Sequence, residues 1–342
     1  MKPFFVSNTP NTLKPFKEFV VSSVMKNYIL ILLLLPTVLI SQKIDNLASF
    51  RAMGGSNYFK FNYDNDFFTA SDKNYTQGYA FEYANKDLAK NPVYHIFFKP
   101  KSNYLTYGLA LEHIGFTPSD FVSPDIQIDD RPFAAAIYLK SFSIALDTLQ
   151  KSRFTQSLSL GIIGPGAFGK EMQTAIHKLI ENKTPGGWDN QIQNDLVLNY
   201  RISYEKQLIH YKELANIQAV SSWQVGTLFT NASVGFNSTV GLLDNPFSKN
   251  TKPSKFIFYA FAQPTVKVIG YDATLQGGIF TNDNPYTISS KNIERFTAQL
   301  DYGLILKYRK LYLEYTRTAI TKEFSSGNSA NWGGFKLGLL FK

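Results

Sequence analysis

From about residue 57 onward, apolar and polar residues change places at almost every step, in segment after segment. Residues 103–112 put Leu105, Tyr107, Leu109 and Leu111 on one side, and Thr106, Gly108, Ala110 and Glu112 on the other. Residues 196–205 set Leu196, Leu198, Tyr200, Ile202 and Tyr204 against Val197, Asn199, Arg201, Ser203 and Glu205. Residues 296–308 repeat the pattern, with Phe296, Leu300, Tyr302 and Leu304 opposite Thr297, Gln299, Asp301 and Gly303. A period of two sends alternate side chains to opposite faces of a strand, so the body of the chain is read as strands. Each segment is about ten residues long, which suits a tilted strand crossing a bilayer. A soluble β-sandwich alternates in the same way. Three features favour the barrel: an export-type N-terminus, strongly aromatic apolar faces, and a last strand ending at Phe341 that can pair with the first. Such closure removes both sheet edges.

Thirteen strand candidates stand out: 57–64, 78–86, 103–114, 133–147, 153–163, 195–208, 216–228, 231–242, 255–268, 271–281, 296–308, 311–321 and 332–341. Single-chain bacterial barrels carry an even number of strands. The weakest candidate is YDATLQGGIFT (271–281), where Asp272 and the Gly277-Gly278 pair suit a loop. Removing it predicts an all-β, antiparallel transmembrane barrel of about twelve strands. With the N-terminus periplasmic, the connections 65–77, 115–132, 164–194, 229–230, 269–295 and 322–331 face outward. The third of these contains a helical stretch, Lys170 to Asn182, with Met172, Ile176, Leu179 and Ile180 as an apolar stripe. It is expected at the rim, packed across or inside the barrel mouth.

Ahead of the strands, residues 25–42 read MKNYILILLLLPTVLISQ: a basic start, an apolar run of about thirteen residues from Tyr28, then Ser41-Gln42. That run is short for a ~30 Å hydrocarbon core, so a signal peptide is expected, with a signal-anchor helix as the other reading. Residues 1–24 are expected to be a mis-assigned upstream extension, and 43–342 the barrel domain. The chain has no Cys, which excludes disulfides, thiolate metal sites and thiol catalysis. The net charge of +9 comes from scattered Lys and Arg and not from a basic block. An anionic lipid surface therefore fits better than nucleic acid, and no nucleic-acid partner is expected.

The loop NDFFTASDKNYTQG (65–78) is a polar turn between two aromatic-studded strands, with Asn65, Asp66, Asp72, Asn74 and Thr76 close together. Hard oxygen donors of this kind suit Ca²⁺, and a hydrogen-bonded Asx-turn explains the same residues. If Tyr58, Lys60, Asn62 and Asp64 face the lumen, Asp66 continues that face. Of the four histidines, His95 and His210 fall at inner connections and His113 ends a strand beside Glu112. His177 lies on the rim helix, where an imidazole can take a proton from water. No serine-nucleophile motif is present, so any hydrolysis would use activated water.

Together, ND (65–66), NYTQG (74–78), DDRPFAAAIY (129–138), LGIIGP (160–165), His177 and GWDNQIQND (187–195) resemble the lipid A 3′-O-deacylase family of Gram-negative outer membranes. The resemblance runs in order from about residue 58 to the C-terminus. It implies a twelve-stranded outer-membrane barrel hydrolysing an ester-linked 3′-acyloxyacyl chain of lipid A with Ca²⁺ as cofactor, its active site between the barrel wall and the outer leaflet. By position it implies Asn65, Asp66, Thr76 and His177 as site residues. Asp66 would be the calcium ligand, His177 the base toward water, and Asn65 and Thr76 the orienting groups. Where the family pattern has a Glu six residues after the His, this chain has Lys183, which leaves Glu181 or Asp189 to orient the imidazole. The second outer loop, SDFVSPDIQIDD (119–130), is acidic and lacks the expected Lys contacts, which fits a glycolipid with fewer phosphates. A monomeric hydrolase acting on lipopolysaccharide is the expectation; a non-catalytic barrel, either a narrow channel or a binding protein, is the alternative.

Overall fold

The computed structural model describes residues 45–66, 74–102, 104–248 and 254–341. The expected signal peptide and upstream extension lie outside these residues, as does Asp72. Twelve antiparallel strands close into one barrel, each paired with its neighbours in sequence and β1 paired with β12. They are β1 (Tyr58–Asn65), β2 (Asn74–Ala84), β3 (Tyr104–Thr117), β4 (Ala134–Asp147), β5 (Ser152–Ile163) and β6 (Asp195–Tyr211), followed by β7 (Ala215–Gly226), β8 (Phe229–Leu242), β9 (Phe256–Asp272), β10 (Phe296–Tyr308), β11 (Leu311–Ile320) and β12 (Ala330–Leu340). The segment set aside as a loop becomes the end of β9 and a short helix, α2 (Ala273–Gln276). The largest boundary shifts, at the end of β9 and the start of β2, are equal in size, and β2 begins at Asn74. The polar loop is correspondingly shorter, and Thr76 belongs to the wall. No described helix is long and apolar enough to cross a membrane.

The alternation sorts residues between two solvents. Phe59, Phe81, Leu111, Leu139, Leu160, Leu198 and Leu339 point outward and are exposed, with aromatic contacts such as Phe61–Phe81 (5.1 Å) between neighbouring strands. Such a belt is stable against lipid and would be an aggregation surface in water. Inward positions carry charge and hydrogen-bonding groups: Lys60 pairs with Glu82 (3.2 Å), Lys140 with Glu112 (2.5 Å) and Arg153 with Glu205 (3.0 Å). The connections at one end are mostly short, 147–152, 211–215 and 308–311, whereas 117–134, 163–195 and 272–296 at the other end are long. This asymmetry assigns the long-loop end to the outside.

The lumen is closed. Residues 45–53 enter it from the short-turn end and are tied to the wall by buried polar groups. The Ser49 main-chain N–H donates to Glu205 (2.9 Å), Arg51 Nε pairs with Glu314 (2.8 Å), and Asp45 pairs with Arg201 (2.8 Å). Leu47, Ala48, Phe50 and Met53 pack against Phe142, Tyr259, Phe261, Ile305 and Tyr312. At the outer mouth, Arg131 bonds Glu323 (2.8 Å) and Thr274 (3.1 Å), with its guanidinium 4.2 Å from the centre of the Phe116 ring. Beside the plug remains a chamber of about 80 Å³, lined by Asp45, Leu47, Thr155, Arg201, Gln263 and Lys267 among others.

Candidate active site

The first half of the site forms where β1 ends. Asp64 points into the lumen, 3.7 Å from Lys336 Nζ. Alternation therefore turns Asn65 outward, and its Nδ2 donates to the hydroxyl of Tyr63 (3.2 Å), which packs against Phe335 on the outer face. Asp66 lies one residue past the strand and is buried, as are Asn65 and Thr76. Asn65 is opposite Gln77 in the β1–β2 register. Between β2 and β3 the pairing runs Tyr75↔Phe116 and then Gln77↔Gly115, so Thr76 is the extra residue of a β-bulge. Regular alternation would put Thr76 and Gln77 on opposite faces. The bulge puts both on the outer one, where the Thr76 hydroxyl meets that of Thr117 (2.5 Å). Gly115 makes the room, since a Cβ there would stand 3.3 Å from Gln77 Cγ.

The second half is carried by the rim helix α1 (Gly169–Leu179), which ends three residues earlier than its sequence pattern predicts. It lies against the outer surface of the wall rather than across the mouth. Gly169 allows the approach: a Cβ there would come within 2.5 Å of both Ala135 on β4 and the Trp188 ring. The turn before it is fastened to β3 through His113 Nε2 and the Ala167 carbonyl (2.9 Å). The face of α1 turned to the protein is polar: Gly169, Gln173 and His177 are its buried residues. Gln173 Oε1 accepts from the indole N–H of Trp188 (2.6 Å). Asn65, Thr76 and the helix that carries His177 thus occupy the same outer face near the same rim, on adjacent strands β1–β4 spaced ~4.8 Å apart.

His177 sits in a defined setting. Its ring lies edge-on to Phe121, with centroids 5.1 Å apart. Nδ1 is 2.6 Å from the main-chain carbonyl of Lys183. A carbonyl only accepts, so Nδ1 carries a proton, which leaves Nε2 as the ring position that can take one up. A Schellman motif delivers that carbonyl. The Asn182 N–H bonds the His177 carbonyl (2.8 Å), and Glu181 turns the chain in the left-handed region at φ 54°. Of the two carboxylates expected to orient the ring, Glu181 occupies the exposed turn position, and Asp189 pairs with Lys170 (2.6 Å) on the exposed side of the helix.

No cluster of three or more His, Asp or Glu suited to a metal occurs among the described residues. A cation at this rim would rest on one carboxylate, Asp66, with the amide oxygen of Asn65 and the hydroxyl of Thr76. These are hard oxygen donors, the chemistry Ca²⁺ takes and softer metals do not require. Sequence reading missed Gln173, although its spacing of four from His177 places it on the same helical face. It also missed Gln77, Thr117, whose hydroxyl meets that of Thr76 because of the bulge, and the Lys183 carbonyl, which no side chain signals.

A closed twelve-stranded barrel with an apolar outer belt, and a polar site on the lipid side of its outer rim, defines a bacterial outer-membrane protein. The model of the family described as outer membrane protein LpxR matches residues 29–341, and the chain belongs to that family. Among solved structures, LpxR from Salmonella typhimurium is similar at 19% identity, with 83% of this chain and 100% of that one covered and a TM-score of 0.68; the common barrel is what this likeness establishes. The β domain of the Bordetella autotransporter BrkA covers 83% of this chain at 8% identity and a TM-score of 0.42. No curated protein matches.

Proposed function

We propose that this protein is a lipid A deacylase that removes an ester-linked 3′-acyloxyacyl chain with water activated by His177. The observation that carries the reading is the 2.6 Å approach of His177 Nδ1 to the Lys183 carbonyl, which favours the tautomer with Nε2 as the proton acceptor. In the proposed step Nε2 takes a proton from water as the water oxygen attacks the ester carbonyl. The imidazolium then returns that proton to the departing sugar alkoxide, releasing the acyloxyacyl chain as a free acid and leaving a sugar hydroxyl. Asn65 and Thr76 orient water and substrate, and Gln173 supports the face on which His177 sits. Asp66, Asn65 and Thr76 would hold Ca²⁺, which when bound supplies positive charge beside the ester carbonyl oxygen.

The position of the site favours a lipid substrate, since an ester buried near the headgroups reaches the outer wall without entering the lumen. The channel alternative has the plug of residues 45–53 and the Arg131–Glu323 cap against it. The second outer loop supports a head group with fewer phosphates. Its only cationic residue, Arg131, is consumed by Glu323, and its aspartates hold the loop together: Asp120 accepts from the N–H of Val122 (3.1 Å) and Asp130 from that of Ser119 (2.8 Å).

The test is mass spectrometry of lipid A from cells expressing the wild type, His177→Ala or Asp66→Ala, with and without calcium chelation. Loss of the acyloxyacyl chain with the wild type alone, prevented by chelation, is the expected result. Unchanged lipid A with the wild type would overturn the activity, and activity retained by His177→Ala would overturn the assignment of the base.

A further inference from the structure

Helix α1 turns its polar face to the protein and carries an apolar flank beside it. At 100° per residue, Gly169, Gln173 and His177 form the buried stripe. Met172, Ile176 and Leu179 form a second stripe, centred roughly a quarter-turn to one side, and Phe168 stands at the N-cap in the left-handed region. Leu179 is 85% exposed and Phe168 57% exposed, with Met172 and Ile176 half-buried. Lys170, Thr174 and Lys178 occupy the opposite flank. A helix packed on a soluble protein would bury the apolar stripe. Here it is displayed.

What lies beside that stripe identifies its occupant. The helix starts against Ala135 on the outer face of β4, and the next outward residues down the same strand are Ile137 and then Leu139, which is 50% exposed. On β5, Leu160 is 57% exposed, and the loop entering α1 sits over Ile162, whose Cδ1 is 3.0 Å from where a Gly166 Cβ would be. The exposed flank therefore continues the belt by which this outer-membrane barrel meets lipid. An apolar stripe on one side and lysines on the other is also the pattern of a helix lying in a membrane interface.

We infer that α1 is embedded in the outer leaflet, with Phe168, Met172, Ile176 and Leu179 among the acyl chains and Lys170 and Lys178 at the headgroups. His177 then faces the narrow space between helix and wall at the depth of the lipid ester bonds. The inference rests on the outer-membrane barrel and not on the deacylase reading.

The absence of cysteine makes the test direct. Spin labels are placed singly at Met172→Cys, Leu179→Cys, Lys178→Cys and, as a belt reference, Leu139→Cys, in full-length protein reconstituted in phosphatidylcholine vesicles. Accessibility to lipid-soluble oxygen is compared with accessibility to a water-soluble nickel chelate. The expected result is an oxygen-to-nickel ratio at Met172 and Leu179 close to that at Leu139 and severalfold above that at Lys178. Ratios at Met172 and Leu179 equal to that at Lys178 would overturn the embedding. Deacylation assayed on the same preparations reads the catalytic proposal separately, so either can fail alone.

Discussion

If the Lys183 main-chain carbonyl sets the tautomer of His177, the side chains around it are dispensable, and this separates two accounts of the site. In one, a carboxylate from Glu181 or Asp189 orients the ring; in the other, the peptide does. Glu181→Gly is the sharpest perturbation because it removes the carboxylate while suiting the backbone. Glu181 is held at φ 54°, a conformation that costs an L-residue roughly 1–2 kcal/mol and costs glycine little. Glycine loses about 0.5–1 kcal/mol of that advantage through its freer unfolded chain. The net expectation is a turn stabilised by about 0–1.5 kcal/mol, with the Nδ1–Lys183 bond intact. That bond contributes about 1 kcal/mol as a neutral hydrogen bond, against about 1.5–3 for one to a charged acceptor. Release of fatty acid from purified lipid A by Glu181→Gly should therefore stay within about threefold of the wild type, a change of ~0.7 kcal/mol. Asp189→Asn and Lys183→Ala should behave alike, while His177→Ala should lose about 10²–10⁴ in rate. A collapse of Glu181→Gly to the level of His177→Ala would refute the main-chain assignment and restore the carboxylate.

Other expectations concern the plug and the bulge. Arg51→Ala strands Glu314 in the lumen without its 2.8 Å partner and should destabilise the barrel by about 3–5 kcal/mol, read as a lowered urea midpoint in detergent; Arg51→Met with Glu314→Leu should recover most of it. An unchanged midpoint for Arg51→Ala would contradict the buried pairing. Deleting residues 45–53 should let the barrel conduct ions in planar bilayers, and a deletion that inserts but stays closed would show that the outer cap alone seals it. Burial by itself would raise the Asp45 carboxyl, but Arg201 and the Leu47 N–H outweigh it and hold it below the ordinary value of 3.8. Its folded value being the lower, its anchoring contribution is complete above 3.8 and is lost as pH falls through the folded value. Acid protease should consequently leave residues 45–53 intact at pH values near 4 and cut them only in stronger acid; cleavage already at mildly acidic pH would refute this. Thr76→Val keeps the shape of the bulge and removes the hydroxyl that meets Thr117, so it should lower deacylation with the fold unchanged by heat-modified mobility on gels.

The strands were legible because two unlike surroundings, lipid outside and a charged lumen inside, impose opposite demands on alternate residues. Wherever a site depended on a break in that alternation, reading by period failed. Thr76 was picked out by its residue type and its likeness to a family pattern, but its outward direction follows from one unpaired position in the β2–β3 register that the residues themselves do not announce. The plug was invisible for a related reason: nine residues tied down by Ser49, Arg51 and Asp45 have no room for a period, and their partners Glu205, Glu314 and Arg201 lie far along the chain. In α1 the period was read correctly and its meaning reversed. Met172, Ile176 and Leu179 do form one stripe, yet the rule that apolar residues turn toward protein assumes water on the other side. At the rim of a barrel the other side is lipid, and the polar residues turn inward instead, which brings Gln173 and His177 to the wall. The reversal is itself the strongest physical reason to place this site at the bilayer: an imidazole sequestered under a helix whose outer flank is apolar is reached most directly by a substrate that is already in the membrane.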